Sequence, residues 1–127
     1  MTSHLSGRRV LVVEDEMLVS WLLIDMLTDL GCAVVGPAAR VNEALTMIEA
    51  GAIDAAVIDV NLNGQASYAI ADALAARDVP FVFSTGYAAA SLPDGYSSSP
   101  VLQKPFHQSE LAEALALLFE RHSLKAS

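Results

Sequence analysis

Ala55-Ala56-Val57-Ile58-Asp59-Val60-Asn61 runs four apolar residues straight into a carboxylate. An apolar run without polar alternation suits a strand buried on both faces, as in a parallel sheet covered by helices. A charge left unpaired inside such a strand is expensive. Asp59 therefore belongs where the strand leaves the sheet, at the mouth of a crevice.

Upstream, Val10-Leu11-Val12-Val13 repeats the pattern and is closed by Glu14-Asp15-Glu16. Val19, Leu22, Leu23, Met26, Leu27 and Leu30 then recur at helix-face spacing, which predicts a helix over 16–30 stopped by Gly31. Residues 32–35 read as a second strand ended by Gly36-Pro37, and a short helix over 41–50 precedes Gly51. Downstream, Asn61-Leu62-Asn63-Gly64 has the chemistry of a sharp exit turn, and 68–76 resumes a helical pattern with Ile70 and Leu74 on its core side. Residues 81–85 are the fourth strand and 100–103 the fifth, entered through proline. The last helix is expected over 108–122, with Leu111, Ala114, Leu115 and Leu118 inward and Glu110 near its positive end. Between strands four and five, Pro93, Asp94-Gly95 and Ser97-Ser98-Ser99 deny the crossover a full helix, leaving at most a turn or two over 88–92. Strands alternating with helices predict the doubly wound α/β class with a parallel five-stranded sheet.

At 127 residues the chain has the size of one domain. One is expected, with an ordered core over about 8–122 and no output domain. Its apolar fraction of 54% argues against disorder, and its formal charge of −8 without basic clustering argues against nucleic acid as a partner. The lone Cys32 makes no internal disulfide, and no cysteine or histidine cluster offers a zinc framework. The first apolar run is too short for a secretory segment or a membrane span, so a cytoplasmic protein is expected.

In such folds function gathers at the carboxyl ends of the strands. Strand one delivers Glu14 and Asp15 there, strand three Asp59 and the Asn61 carbonyl, strand four Ser84-Thr85-Gly86, and strand five Lys104-Pro105. Carboxylates with a backbone carbonyl make a hard oxygen site suited to Mg²⁺ (or Mn²⁺), while a hydroxyl and an ammonium complete an anion pocket. Each member also has a plainer reading. Glu14-Asp15 can be helix N-terminal acids, Lys104 a surface lysine, Thr85 a strand end and Asp59 a helix cap. Their joint occurrence in this order favours a site.

The set Glu14-Asp15, Asp59, Thr85 and Lys104-Pro105 resembles the receiver domain of two-component response regulators over nearly the whole chain. The resemblance implies a flavodoxin-like (βα)5 fold with strand order 2-1-3-4-5. It also implies that Asp59 takes a phosphoryl group from a kinase phosphohistidine as an aspartyl phosphate. Asp15, Asp59 and the Asn61 carbonyl would ligate Mg²⁺, with Glu14 helping directly or through water, and Thr85 and Lys104 would contact the phosphoryl group beside a Gly86 that leaves it room. Expected partners are a sensor histidine kinase, conventional or atypical, or a histidine phosphotransfer protein, and an unknown downstream protein. Nucleic acid and membrane are not expected, and the chain should be a monomer or weak dimer. It is expected to act by protein contact or as a phosphate sink, catalysing only its own phosphorylation and dephosphorylation.

Two departures stand out. Val101 occupies the position where receivers commonly carry a Phe or Tyr whose ring rotates, and valine has no ring to rotate. Phe83-Ser84-Thr85-Gly86-Tyr87 instead resembles the Phe-x-Thr-Gly-Tyr subgroup of single-domain receivers, associated with atypical kinases and an irregular fourth crossover. Ordering of residues 86–99, with Tyr87 as reporter, is the switch this suggests. On the first helix Leu18, Trp21 and Ile24 form a second apolar stripe, each forfeiting roughly 1.5–3 kcal/mol of burial if exposed. With Pro105 they are candidate docking residues for the kinase. The rival readings are a degenerate receiver that binds without chemistry, an aspartyl-phosphate phosphohydrolase, whose second Asp is here Asn61, and a flavodoxin-like binder, whose phosphate loop is here acidic.

Overall fold

In the computed structural model, which describes residues 5–62, 65–86 and 100–126, the apolar runs become the strands of one parallel sheet. In chain order the elements are β1 (Arg9–Val13), α1 (Met17–Asp29), β2 (Ala33–Ala38), α2 (Val41–Ala50), β3 (Ala55–Asp59), β4 (Asn61–Leu62), β5 (Gln65–Ala66), α3 (Tyr68–Ala76), β6 (Phe81–Thr85), β7 (Val101–Gln103) and α4 (Gln108–Ala126). The large sheet runs β2-β1-β3-β6-β7, which is 2-1-3-4-5 when its own strands are counted. All its pairings are parallel, and four helices are present among the described residues.

Strand parity divides the core into two layers. Val10, Val12, Ala55, Val57, Val82 and Leu102 pack with Leu23 and Leu27 of α1 and Leu111 and Leu115 of α4. Leu11, Val13, Ala56, Ile58 and Phe83 pack on the other face with Ile48 of α2 and Ile70 and Leu74 of α3. Successive side chains alternate faces, so both sides of β3 are dry, as its continuous apolar run requires. The same parity places the polar residues. One pleat step beyond Val12, Val57 and Leu102 come Glu14, Asp59 and Lys104, which therefore leave three strands on the α1 side.

Several boundaries differ from expectation. β2 does not stop at Gly36-Pro37 but runs on to Ala38, with a register shift against β1 between Leu11 and Val13. Gly36 makes this bulge possible, since its φ is +96° and a Cβ would lie 3.0 Å from the Val12 oxygen. The exit turn after β3 is a small antiparallel ladder, Asn61 with Ala66 and Leu62 with Gln65. Phe119 joins the core below the Arg8 guanidinium, which lies 4.4 Å from its ring centroid. Ala114 is only half-buried, and α4 continues past the expected end at 122.

The face of α1 is the main correction. Leu22, expected in the core, is 60% exposed, and the buried line is Ser20, Leu23, Leu27 and Leu30. A count of apolar residues passes over Ser20, although it holds the core-facing position on the turn before Leu23. Ile24, expected on the exposed stripe, is half-buried. The exposed patch is Met17, Leu18, Trp21 and Leu22. Tyr87 and the remainder of the crossover, 87–99, lie outside the described residues, as do Asn63 and Gly64.

Candidate functional site

At the carboxyl end of the sheet the three parity-related side chains meet. Lys104 Nζ lies 2.8 Å from Glu14 Oε1 and donates to Asp59 Oδ2 at 3.2 Å. Asp15 joins them, because Glu14, Asp15 and Asp59 each offer an oxygen within 4.8 Å of the others. Glu14 is 2% exposed and Asp59 7%, so one ammonium sits among carboxylates largely withdrawn from water. Withdrawal raises the free energy of every uncompensated charge.

The backbone holds these groups from several sides. The Glu14 N–H donates to the Ala38 carbonyl at 2.9 Å, tying the end of β1 to the end of β2. Glu14 Oε2 accepts from the Glu16 N–H at 3.2 Å, which turns the carboxylate inward ahead of α1. Glu14 and Asp15 precede the first turn of α1, which itself contains no acid. Across the sheet, the Lys104 N–H donates to the Thr85 carbonyl at 2.8 Å, bringing the ends of β6 and β7 together. Ser84 and Thr85 are both buried at this end.

Burial pushes the Glu14 carboxyl up to about 7; the Lys104 contact opposes the rise and the Asp59 charge adds to it. For Lys104 burial works to lower the pKa, yet its pairings with Glu14 and Asp59 outweigh it and hold the ammonium above its ordinary value. Glu14 Oε1 is buried and has no aligned hydrogen bond, although it lies at ion-pair distance from Lys104. A clustered, oxygen-only donor set whose three carboxylates outnumber the ammonium among them fits a hard divalent cation such as Mg²⁺ or Mn²⁺.

The family model for the response regulator receiver domain matches residues 10–116. The chain belongs to this family. The transcriptional regulatory protein PdtaR of Mycobacterium tuberculosis is 30% identical over 118 residues, covering 90% of this receiver and 58% of that protein. The receiver thus spans less than two thirds of this curated relative. Among solved structures, SdrG from Sphingomonas melonis Fr1 is 46% identical, with a TM-score of 0.81 over 89% of the receiver and 97% of that chain. Its BeF3-activated conformation superposes with a TM-score of 0.78 at the same identity and coverage. The PhyR receiver domain of Erythrobacter litoralis is 28% identical, with a TM-score of 0.80 over 91% of the receiver and 92% of that chain.

The other residues singled out from the receiver's sequence fall as follows. The Asn61 backbone opens β4 directly beyond Asp59 and Val60. Gly86 is exposed and follows β6, and a Cβ there would meet nothing within 4 Å among the described residues. Val101 pairs in register with Phe83 and is half-buried against the α2/α3 layer, away from the carboxylates. Pro105 lines a groove of about 280 Å³ with Val19, Leu22, Leu23, Met26 and Phe106, beside the exposed Leu18 and Trp21. No helix among the described residues is long and apolar enough to cross a membrane. Two contributors escaped the sequence reading. The Glu14–Lys104 pairing joins residues ninety positions apart with no local signal, and Ser67, which is fully buried just before α3, resembled any turn serine.

Proposed function

We propose that this receiver accepts a phosphoryl group on Asp59 from a histidine kinase or phosphotransfer protein and signals by protein contact or by draining phosphate. The observation that carries the reading is the placement of Asp59. It stands at the end of a strand buried on both faces, among two further carboxylates, with Lys104 Nζ 3.2 Å from its Oδ2. Such a nucleophile needs the negative field around it offset before an anionic phosphoryl group can approach. Glu14, Asp15, Asp59 and the Asn61 carbonyl would hold Mg²⁺, which supplies positive charge to the phosphoryl oxygens when bound. An Asp59 oxygen attacks phosphorus, the P–O bond forms, and the P–N bond to the donor imidazole breaks with its electron pair returning to nitrogen. Lys104 then has the phosphoryl oxygens to pair with as well as Glu14, and Thr85 and Gly86 frame the approach from the end of β6.

Partner docking is assigned to the α1 face. Leu18 is 71% and Trp21 57% exposed, and the apolar groove bounded by Leu22, Pro105 and Phe106 lies beside them, a surface suited to an apolar helix pair. Trp21→Ala is expected to slow transfer from a histidine kinase that phosphorylates the wild type, while transfer from acetyl phosphate stays unchanged; equal slowing from both donors would refute docking. Action as a stand-alone receiver is part of the proposal, supported by a match over 97% of the SdrG chain. The test of the whole reading is incubation with acetyl phosphate and Mg²⁺. Acid-stable, base-labile phosphate is expected on the wild type and not on Asp59→Asn, and its absence from both would leave binding without chemistry as the better account.

A further inference from the structure

Ser67 occupies the N-cap position of α3 and is fully buried. A serine there ordinarily turns its oxygen onto a backbone N–H of the first helical turn. This one makes no such cap. Its hydroxyl instead donates backwards to the Val60 carbonyl at 3.1 Å, and its own N–H donates to the same oxygen at 3.1 Å. The N–H alone already satisfies that carbonyl, so the hydroxyl bond is more than relief of a buried acceptor.

Val60 directly follows Asp59, and its N–H donates to the Ser84 carbonyl at 3.0 Å. Two successive peptide planes, Asp59–Val60 and Val60–Asn61, are thereby held, the first from β6 and the second from Ser67. Because each peptide unit is planar, fixing both planes sets the only soft backbone dihedrals at Val60. Those dihedrals set the path of the chain from Asp59 to Asn61, and the pairing of Asn61 with Ala66 in the β4–β5 ladder carries that path on to the Asn61 carbonyl.

We infer that Ser67 is a positioning residue: its hydroxyl, through Val60, aims the Asp59 carboxylate and the Asn61 carbonyl at a common point. The inference rests on the phosphoacceptor reading of Asp59 for its kinetic consequence, but its effect on cation binding stands apart from that reading. Removing an outer partner of this kind costs on the order of 10-fold in cation affinity or in rate.

The experiment compares wild type, Ser67→Ala, Ser67→Thr and Asp59→Asn in the full chain. Mg²⁺ affinity is measured by calorimetry, phosphorylation by acetyl phosphate at saturating Mg²⁺, and Tm in parallel. Ser67→Ala is expected to lose on the order of 10-fold in Mg²⁺ affinity and in rate, and Ser67→Thr, which keeps the hydroxyl, to recover most of both. Wild-type affinity and rate in Ser67→Ala, whatever its Tm, overturn the inference, as does equal impairment of Ser67→Ala and Ser67→Thr at unchanged Tm. If Ser67→Thr lowers Tm by overpacking, Ser67→Cys, a poor donor of similar size, replaces it as the comparison and must follow Ser67→Ala. A wild type that binds Mg²⁺ but takes no phosphate refutes the Asp59 reading and leaves positioning to be decided by affinity alone.

Discussion

Two aspartates flank the same strand, Asp54 just before β3 and Asp59 at its end, and they face opposite circumstances. Asp54 is exposed; its carboxylate accepts from the Arg9 backbone N–H at 2.8 Å, and its own N–H donates to the Arg9 carbonyl at 2.7 Å. The Arg9 side chain is occupied beside it on the Ala52 carbonyl. That end of the β1–β3 pair is an exposed clasp in which Arg9 and Asp54 satisfy one another's backbone groups. At the other end, Asp59 shares the half-buried Lys104 with Glu14 and lies beside Asp15. The difference teaches where chemistry can reside. A carboxylate that water already stabilises has little to gain from a cation or an electrophile, whereas a cluster with surplus buried negative charge gains from both.

The strongest test of that contrast exchanges each acid for its amide. Asp59→Asn should abolish phosphate uptake from acetyl phosphate altogether, while Asp54→Asn keeps an oxygen for the Arg9 N–H and should leave both the rate and the stability within about 0.5 kcal/mol of wild type. Loss of phosphorylation in Asp54→Asn with the fold intact would break the comparison. Lys104→Met comes next. It removes the ammonium paired with both Glu14 and Asp59, so phosphorylation should fall on the order of 100-fold. The metal-free protein should lose about 1–3 kcal/mol, measured by urea unfolding in EDTA. Added Mg²⁺ should restore more stability to Lys104→Met than it adds to the wild type, since the cation then relieves the larger imbalance.

Much of this arrangement is legible in the amino-acid sequence. Continuous apolar runs announced strands buried on both faces, and the acids and lysine that close them gather as their strand ends suggested. What stayed hidden depended on contacts between distant residues or on small side chains. Hydropathy favoured Leu22 for the core over Ser20, yet the helix turns Ser20 inward and leaves Leu22 exposed. Gly36-Pro37 read as a strand end because both residues break regular pairing, whereas a positive φ at Gly36 lets β2 absorb an extra residue and continue. Ser67, which gave no sequence signal of its own, stands at the N-cap of α3 and donates to the Val60 carbonyl. The inward turn of Glu14 follows from strand parity only once the strand is known to end at Val13 rather than earlier.

The smallest effect concerns protons rather than mutations. In the folded, metal-free protein burial holds the Glu14 carboxyl at about 7, against an ordinary value of 4.5. Below the ordinary value both folded and unfolded chains carry this proton, and the stability it contributes is fully present. As pH rises the unfolded chain releases the proton first, so stability declines through the window from 4.5 to about 7 and levels off above it, once the folded chain has released it too. In EDTA, Tm should therefore drop by a few degrees between pH 5 and pH 8, and Glu14→Gln, which cannot ionise, should flatten most of the drop. Excess Mg²⁺ should flatten it as well, because the cation favours the ionised carboxylate and takes over the role of the proton. A drop that persists unchanged in Glu14→Gln would place the surplus charge elsewhere and remove the distinction between the two ends of β3.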